Sequence, residues 1–266
     1  MSFFTAENLS AGYGSRKIIQ GVSFSLEAGT LTGVLGANGS GKTTLLKALC
    51  GILPHQGSCT LEGQRLEHLS PRQLGTLCGY IPQRSGLSLH LPVEEVVLMG
   101  FNPRLGLLQR PGAREKALAR QALAQVGLEG LEWKSYLTLS EGQKQLCILA
   151  RALAASPRLF LLDEPESALD PARRWQVLEL LTGVLDHTGA AGLVVLHDPA
   201  LALNFCHQLL LIGEGKLLGV LDPRRDSPQE MEEALSRIYG PVTLTRSRDK
   251  TGREHLVLLN EWREDP

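Results

Sequence analysis

The stretch Gly36-Ala-Asn-Gly-Ser-Gly-Lys42-Thr43 fits the pattern G-x-x-x-x-G-K-[ST] at every fixed position. The apolar run from Leu31 to Gly36 predicts a buried strand, and the leucines that follow the loop at helical spacing predict a helix. Glycines allow backbone N–H groups to turn inward around phosphates, at the positive end of the following helix. The order of strand, glycine-rich loop and helix therefore predicts a site for nucleotide phosphates.

Two side chains of this loop have predicted roles. The ammonium group of Lys42 is expected to reach the β- and γ-phosphates, and the hydroxyl of Thr43 is expected to bind Mg²⁺. The loop by itself indicates only a nucleotide, because kinases, GTPases and many molecular motors share it. Other motifs must separate these classes.

An apolar strand that ends in two carboxylates follows farther along the chain, at Leu159-Phe-Leu-Leu-Asp163-Glu164. Asp163 is expected to hold Mg²⁺ through water, and Glu164 is expected to polarise the attacking water. Since adjacent residues of a strand point to opposite sides, the two carboxylates are expected to have different roles. An ordinary acidic pair at a strand end is the alternative, which the phosphate loop disfavours.

A second anion-binding motif, Leu139-Ser-Glu-Gly-Gln143, opens a predicted helix shortly before the carboxylate strand. Ser140 and Gly142 are expected at the helix N-terminus, where backbone N–H groups favour an anion. One nucleotide does not need two complete phosphate sites from one chain, so the motif needs a further explanation. A capped helix without a ligand is the alternative.

These motifs, in this order, resemble the ABC ATPase family, whose signature is usually LSGGQ. The resemblance extends from about Tyr13 to Gly219. It explains the second anion site, because in the family the signature of one protomer caps the ATP bound by the phosphate loop of the other. It implies ATP and Mg²⁺ as cofactors, ATP hydrolysis as the activity, and a second copy of the chain as a partner.

Individual positions take roles from this resemblance. Tyr13 is implied to stack on adenine, with a core tyrosine as the alternative. Gln83 is implied to contact Mg²⁺ and the attacking water and to sense a membrane partner. Asp170, which ends Ser167-Ala-Leu-Asp170, is implied to contact the opposite protomer, and His197 is implied to contact the γ-phosphate.

The resemblance thus implies three sets of site residues. The implied catalytic residues are Glu164, His197 and Gln83. The implied metal ligands are Thr43, Gln83 and Asp163. The implied nucleotide contacts are Tyr13, Gly36, Asn38, Gly39, Ser40, Gly41, Lys42, Thr43, Thr44, Ser140, Gly142, Gln143 and Asp170.

Two residues depart from the family pattern. Glu141 stands where the signature more often has glycine, and Glu166 stands where the run after the carboxylates more often has threonine. Neither belongs to the implied nucleotide contacts, so an effect on rate and regulation is expected rather than loss of activity.

Strands that alternate with helices predict an α/β fold with a mostly parallel sheet covered on both faces. Helices are predicted at 113–126 and 140–155. The resemblance refines the fold to a P-loop NTPase of ABC type, with an N-terminal antiparallel β region and a helical signature subdomain at about 84–156. Residues 1–240 are predicted to form the ATPase domain, and residues 241–266 a C-terminal hairpin extension around a DKTG turn.

Composition excludes several classes of protein. The chain has 266 residues, 43% of them apolar, and a formal net charge of -1, which favours a globular domain without whole-chain attraction for nucleic acid. The five cysteines are irregularly spaced without a CxxC pair, so neither a disulfide framework nor a zinc site is indicated. With no signal peptide and no apolar stretch near the ~20 residues of a membrane span, a cytoplasmic chain that reaches a membrane through a partner is expected.

Several stretches are similar to importers of metal chelates such as ferric siderophores, haem or cobalamin, although Phe101 and Arg104 replace an Arg and a His of that subgroup. The similarity implies membrane permease subunits as partners, docked around Gln83 to Met99 on the cytoplasmic face, and an extracytoplasmic solute-binding protein indirectly. The similar stretches are VEEVVLMGFNPRLGLL at 93–108, LHDPALALNFCHQLLLIGEGKLLGVLDP at 196–223 and IYGPVTLTRSRDKTGRE at 238–254.

Other functions stay open as alternatives. An importer or exporter ATPase for another solute shares most of these motifs. ABC ATPases of DNA repair insert long coiled coils, whereas this chain has no sustained heptads, and ribosomal versions usually carry two such domains. A small kinase would leave LSEGQ and His197 without an explanation.

Overall fold

The computed structural model describes residues 2–83, 86–88, 90–106 and 108–260. The strands are β1 (Phe4–Tyr13), β2 (Arg16–Leu26), β3 (Leu31–Leu35), β4 (His55–Leu61), β5 (Gln64–Arg65), β6 (Cys78–Ile81), β7 (Leu159–Asp163), β8 (Ala191–Val195), β9 (Gln208–Gly213), β10 (Lys216–Leu221), β11 (Val242–Arg248) and β12 (Glu254–Asn260). The helices are α1 (Lys42–Leu49), α2 (Pro71–Leu77), α3 (Val93–Leu98), α4 (Ala113–Gln125), α5 (Glu141–Ala155), α6 (Pro171–Thr188), α7 (Pro199–Phe205) and α8 (Pro228–Tyr239).

A six-stranded sheet with the order β10-β9-β3-β8-β7-β6 forms the centre of the fold. The strands from β9 to β6 pair in parallel, and β10 pairs antiparallel with β9. Every residue of β3, β7 and β8 is buried, because other elements cover both faces of the sheet. The predicted α/β fold with a mostly parallel sheet is confirmed.

Two apolar clusters cover the two faces of the central sheet. Phe160 of β7 belongs to the cluster formed with the helices α3 to α6. Its neighbour Leu161 belongs to the cluster formed with α1 and the N-terminal strands. This alternation follows from the period of two in a strand, which sends successive side chains to opposite faces.

The N-terminal strands form the predicted antiparallel sheet, with the order β2-β1-β4-β5. Phe4 of β1 pairs with Leu26 on one side and with Leu61 on the other, and all three side chains are buried. The sheet and the central sheet enclose α1, so the helix that follows the phosphate loop is packed on both sides.

Helices α3, α4 and α5 pack against one another as the helical part of the structure. Val93 and Tyr136 are fully buried there. Glu94 is also buried, and its carboxylate accepts a 2.7 Å hydrogen bond from Arg120, which compensates the buried charge. The predicted helices form at 113–125 and 141–155.

Strands β11 and β12 form an antiparallel hairpin that packs against α8 and α7. The backbone N–H of Leu244 donates to the Glu232 carboxylate at 2.6 Å, and the Asn204 amide bonds both backbone groups of Leu256, at 2.8 and 3.0 Å. The last six residues of the predicted extension, 261–266, lie outside the described residues. The division of the chain at residue 240 stays a prediction.

Two further findings bear on the expectations from composition. Within the described residues, no helix is both long enough and apolar enough to cross a bilayer. All five cysteines are free thiols, and four of them are buried.

Candidate nucleotide site

The topology of the central sheet gathers the predicted site residues at one edge. Because β3, β6, β7 and β8 are parallel, their carboxyl ends meet there, which is where ligands bind in open α/β sheets. The phosphate loop follows β3, Gln83 follows β6 and His197 follows β8, while Asp163 ends β7 and pairs with Val195 of β8. Loops distant in sequence are therefore neighbours in space.

The backbone of the phosphate loop depends on its glycines. Gly39 and Gly41 have φ of 79° and 105°, a left-handed region that favours glycine. A Cβ on Gly36 would lie 2.2 Å from the carbonyl oxygen of Ile212, so that position has no room for a side chain. The hydroxyl of Ser40 is buried without a hydrogen-bond partner in the described part of the chain, which fits a loop that accommodates a polar ligand.

Lys42 is the first residue of α1, and its side chain folds back over the loop. Its ammonium donates to the carbonyls of Gly36 at 2.7 Å and Ala37 at 3.0 Å. Burial lowers the pKa of Lys42, while the nearby carboxylates of Glu164 and Asp163 oppose that shift. Phosphate oxygens would compete with these neutral carbonyls for the ammonium, because charge-assisted hydrogen bonds are stronger.

Asp163 joins the end of β7 to the start of α1. The Thr43 hydroxyl donates to Asp163 Oδ1 at 3.0 Å, and the Tyr80 hydroxyl donates to Oδ2 at 3.4 Å. Burial raises the pKa of Asp163, whereas the bonds from Thr43 and Tyr80 lower it. Hydroxyl and carboxylate oxygens next to a phosphate loop are the ligands that Mg²⁺ prefers, so this pair fits the expected cation.

Glu164 turns away from Asp163 and belongs to a different group of side chains. Its backbone has φ of 52°, an uncommon conformation for a residue other than glycine, and its side chain is 9% exposed. Glu164 Oε1 lies 2.6 Å from His197 Nε2, and the Gln83 amide donates to Oε2. The three residues expected to be catalytic therefore meet at one carboxylate.

The signature residues form a second group at the start of α5. Ser140 caps the helix by accepting from the N–H of Gln143 at 3.3 Å, while the Gln143 side chain accepts from the Ser140 N–H at 3.1 Å. A Cβ on Gly142 would lie 3.1 Å from the carbonyl of Ala168, so the signature packs against the loop that ends in Asp170. Asp170 in turn caps α6.

Comparison with known proteins gives the family. A model of the ABC transporter family matches residues 19–167, which is more than half of the chain. The chain belongs to the ABC transporter family of ATP-binding proteins. This membership makes it an ATP-binding and ATP-hydrolysing subunit.

Relatives within the ABC family cover most of the chain. The hemin import ATP-binding protein HmuV of Pseudomonas fluorescens is 36% identical over 95% of this chain and 98% of its own length. The uncharacterized ABC transporter ATP-binding protein YvrA of Bacillus subtilis is 37% identical over 79% of this chain, and the match spans 48% of that relative's length. A solved chain from an inward-facing transporter assigned to the metal-chelate ABC type is 28% identical, with a TM-score of 0.81 over 98% of this chain and 99% of that one.

Two roles for Tyr13, stacking on adenine and packing in the core, are open from the sequence. Tyr13 ends β1 and is 51% exposed, which disfavours the core tyrosine considered from the sequence. Among the remaining ABC-type positions, Thr44 is buried in α1, and Asn38 is exposed in the phosphate loop. Their contacts with a nucleotide stay predictions.

The two departures from the ABC pattern have different surroundings. Glu141 is exposed and forms a 2.7 Å ion pair with Lys144. Glu166 is 3% exposed, and its Oε2 has no hydrogen-bond partner in the described residues. Burial, with a smaller contribution from the charge of Glu164, raises the pKa of Glu166 to about 7.

Sequence reasoning missed Tyr80, whose hydroxyl contacts the proposed metal ligand Asp163. A polar group three residues before Gln83, on a strand that leads to the site, is the signal that could have identified it. Burial raises the pKa of Tyr80, so its hydroxyl keeps its proton and donates to the carboxylate.

Proposed function

We propose that this chain energises an importer for a metal chelate, such as a ferric siderophore, haem or cobalamin, by hydrolysing ATP as one half of a paired site. The contact of Glu164 with both His197 and Gln83 is the observation that carries the hydrolytic mechanism. The HmuV relatives, named for hemin import, support the class of cargo.

In this proposal the phosphate loop binds the nucleotide, and three side chains hold its Mg²⁺. Backbone N–H groups of the loop and the ammonium of Lys42 hold the phosphates. Thr43, Asp163 and Gln83 would hold Mg²⁺, which neutralises charge on the β- and γ-phosphate oxygens. Tyr13 stacks on the adenine ring, a role that the exposure of its side chain supports.

Glu164 acts as the general base for the attacking water. The water oxygen bonds to the γ-phosphorus, the bond to the β–γ bridging oxygen breaks, and the water proton moves to the Glu164 carboxylate. His197 orients that carboxylate through the 2.6 Å contact and also reaches the γ-phosphate. A positioned base of this kind contributes about 10²–10⁴-fold to the rate.

A second copy of the chain completes the site. Ser140, Gly142 and Gln143 lie at a helix N-terminus, whose backbone N–H groups and dipole favour an anion. We assign this anion site to the γ-phosphate of ATP bound by the partner copy, with Asp170 also at the interface. Loss of the γ-phosphate after hydrolysis removes these contacts, so the two copies separate.

Permease subunits dock on the surface between Gln83 and Met99, of which residues 84, 85 and 89 lie outside the described residues. Gln83 links this surface to the base, because its amide donates to Glu164. A shift of the docked loop therefore changes the orientation of the base. The chain works at the cytoplasmic face of the membrane, peripherally, and a solute-binding protein acts only through the permease.

Reconstitution tests this function. The chain is combined with its permease pair and solute-binding protein in proteoliposomes, and uptake of haem, a ferric siderophore and cobalamin is measured with ATP inside. We expect ATP-dependent uptake of one of these chelates, absent with Glu164→Gln. Uptake that is independent of the solute-binding protein, or no uptake of any chelate, would contradict the proposal.

A further inference from the structure

Three side chains outside the nucleotide site combine the ligand types that bind transition-metal cations. His55 begins β4, Cys59 lies four residues later on the same strand, and Glu67 lies in the 3₁₀ turn Leu66–His68 after β5. One ligand atom of each lies within 4.8 Å of the other two. None of the three is assigned to ATP, to Mg²⁺ or to the second copy.

Distances within this cluster approach those of a tetrahedral zinc centre. His55 Nε2 lies 3.3 Å from Glu67 Oε1 and 4.0 Å from Cys59 Sγ. Zinc bonds of about 2.0–2.2 Å to nitrogen and oxygen and about 2.3 Å to sulfur put tetrahedral ligand atoms about 3.4–3.6 Å apart. The nitrogen–oxygen separation already fits, the sulfur needs to approach the imidazole by about 0.4 Å, and the sulfur and the carboxylate oxygen lie within 4.8 Å of each other.

The local backbone holds the cluster together. Gly57 lies between His55 and Cys59 with φ of 96°, beside a register shift between β1 and β4, so the strand is irregular at this point. A Cβ on Gly57 would lie 2.5 Å from the carbonyl oxygen of Glu7, which restricts the position to glycine. The backbone N–H of Cys59 donates to Glu67 Oε1 and orients the carboxylate beside the thiol.

The cluster is enclosed on the protein side and accessible on the other. Cys59 is fully buried, whereas the side chains of His55 and Glu67 are 11% and 24% exposed. A cation can therefore enter from solvent, and a water molecule can take the fourth position. Burial, followed by the charge of Glu67, raises the pKa of the Cys59 thiol to about 12, so binding forms a metal–sulfur bond and releases the thiol proton to solvent.

We propose that His55, Cys59 and Glu67 form a site for a divalent transition-metal cation of the zinc class, with water as the fourth ligand. Thiolate and imidazole ligands favour Zn²⁺ over Mg²⁺ and Ca²⁺, which take oxygen ligands. The bound cation ties β4 to the turn that leads through α2 and β6 to Gln83.

Titration of the full chain, carrying no histidine tag, with Co²⁺ tests the site. A thiolate ligand gives Co²⁺ an intense near-ultraviolet charge-transfer absorption, which the oxygen and nitrogen ligands of the nucleotide site do not give. We expect one equivalent of Co²⁺ to produce this absorption and Zn²⁺ to abolish it by displacement. Cys59→Ser loses the absorption, whereas Cys78→Ser, which removes another buried thiol of the same apolar cluster, retains it. The reverse pattern, or no absorption in the parent, overturns the proposal.

Because removal of a buried thiol can disturb folding, the two more accessible ligands give a second measurement. Loss of an outer-shell partner lowers the metal affinity of a site by at least about tenfold. His55→Gln and Glu67→Gln each remove a direct ligand, so we expect each to lower zinc affinity by more than about tenfold. Competition with a chromophoric chelator measures this affinity. His68→Gln removes the exposed imidazole next to Glu67 and leaves the affinity unchanged. Equal affinities in the parent and in all three variants overturn the site.

Discussion

Glu164 Oε1 lies 2.6 Å from His197 Nε2, and the Gln83 amide donates to the other oxygen of the same carboxylate. Loops that follow three parallel strands thus converge on one side chain. Its neighbour Asp163 instead contacts Thr43 and Tyr80. Two consecutive carboxylates therefore occupy separate environments, because Asp163 ends β7 whereas Glu164 lies one residue beyond the strand with a φ of 52°.

Glu164→Gln is expected to separate nucleotide binding from hydrolysis. Glutamine keeps the shape of the side chain but removes its basicity, so hydrolysis falls by about 10²–10⁴-fold while Mg-ATP still binds. Phosphate release and equilibrium binding of labelled ATP measure the two effects on the same preparation. A variant that hydrolyses ATP at the parental rate would remove Glu164 from the role of base.

Lys42→Ala is expected to leave a folded chain without productive ATP binding. The ammonium contacts the carbonyls of Gly36 and Ala37 and is expected to bind phosphate oxygens when a nucleotide occupies the loop. Binding of a fluorescent ATP analogue should be lost, while the circular dichroism spectrum stays parental. Lys47→Ala, in the last turn of the same helix, serves as the control and should still bind. Parental hydrolysis by Lys42→Ala would contradict the assignment of the phosphate site.

Glu166 is expected to make stability depend on pH. Its pKa is raised from 4.5 to about 7, chiefly by burial and also by Glu164, against opposition from the His197 backbone N–H and Arg174. A raised folded-state pKa means that the carboxyl contributes its full stability below the unfolded pKa and loses it as pH rises through about 7. The loss approaches about 3 kcal/mol at most.

Glu166→Gln removes this ionisation and tests the pH dependence directly. The free energy of unfolding of the variant relative to the parent should increase between about pH 5 and about pH 8. Urea denaturation at both values measures the difference. A difference that stays constant, or that decreases with pH, would show that the carboxyl of Glu166 is not held neutral by its surroundings.

Features set by neighbouring residues in the sequence could be predicted, and α5 shows why. The spacing of Ser140 and Gln143 supplies a capping box, so the helix start depends on local contacts alone. The predicted end of α4, at Val126, lies one residue beyond the observed end at Gln125. Val126 is the non-helical C-cap, and Gly127 follows with φ of 72°. Both outcomes follow from backbone rules that act over a few residues.

Features that need two distant segments could not be predicted in this way. The contact of Tyr80 with Asp163 depends on the pairing of β6 with β7, which lie about 80 residues apart in the chain. The burial of Glu166 likewise results from packing around the loop between β7 and α6. His55, Cys59 and Glu67 have no regular ligand spacing in the sequence, so sequence reasoning indicated no zinc site. Their proximity depends on the backbone at Gly57 and appears only in the structure.

If the nucleotide site is completed by a second copy, Glu164→Gln should accumulate a dimer, and adding Ser140→Arg should prevent that dimer. With Mg-ATP, Glu164→Gln is expected to elute from size-exclusion chromatography as a closed dimer, because the γ-phosphate remains in place. Adding Ser140→Arg should keep the protein monomeric, since a bulky side chain would fill the position assigned to the partner's γ-phosphate. Without Mg-ATP, both proteins should be monomers.

Ser140→Arg also removes a helix cap, which by itself costs about 0.5–2 kcal/mol, so the experiment needs a control with the same defect. Ser70 caps α2 through an equivalent capping box with Gln73. Combined with Glu164→Gln, Ser70→Arg loses a cap of the same kind at a helix outside the proposed interface and should still dimerise with Mg-ATP. A Glu164→Gln protein that stays monomeric at saturating Mg-ATP would argue against closure by the isolated subunit. A dimer that persists with Ser140→Arg would remove the signature from the phosphate cap.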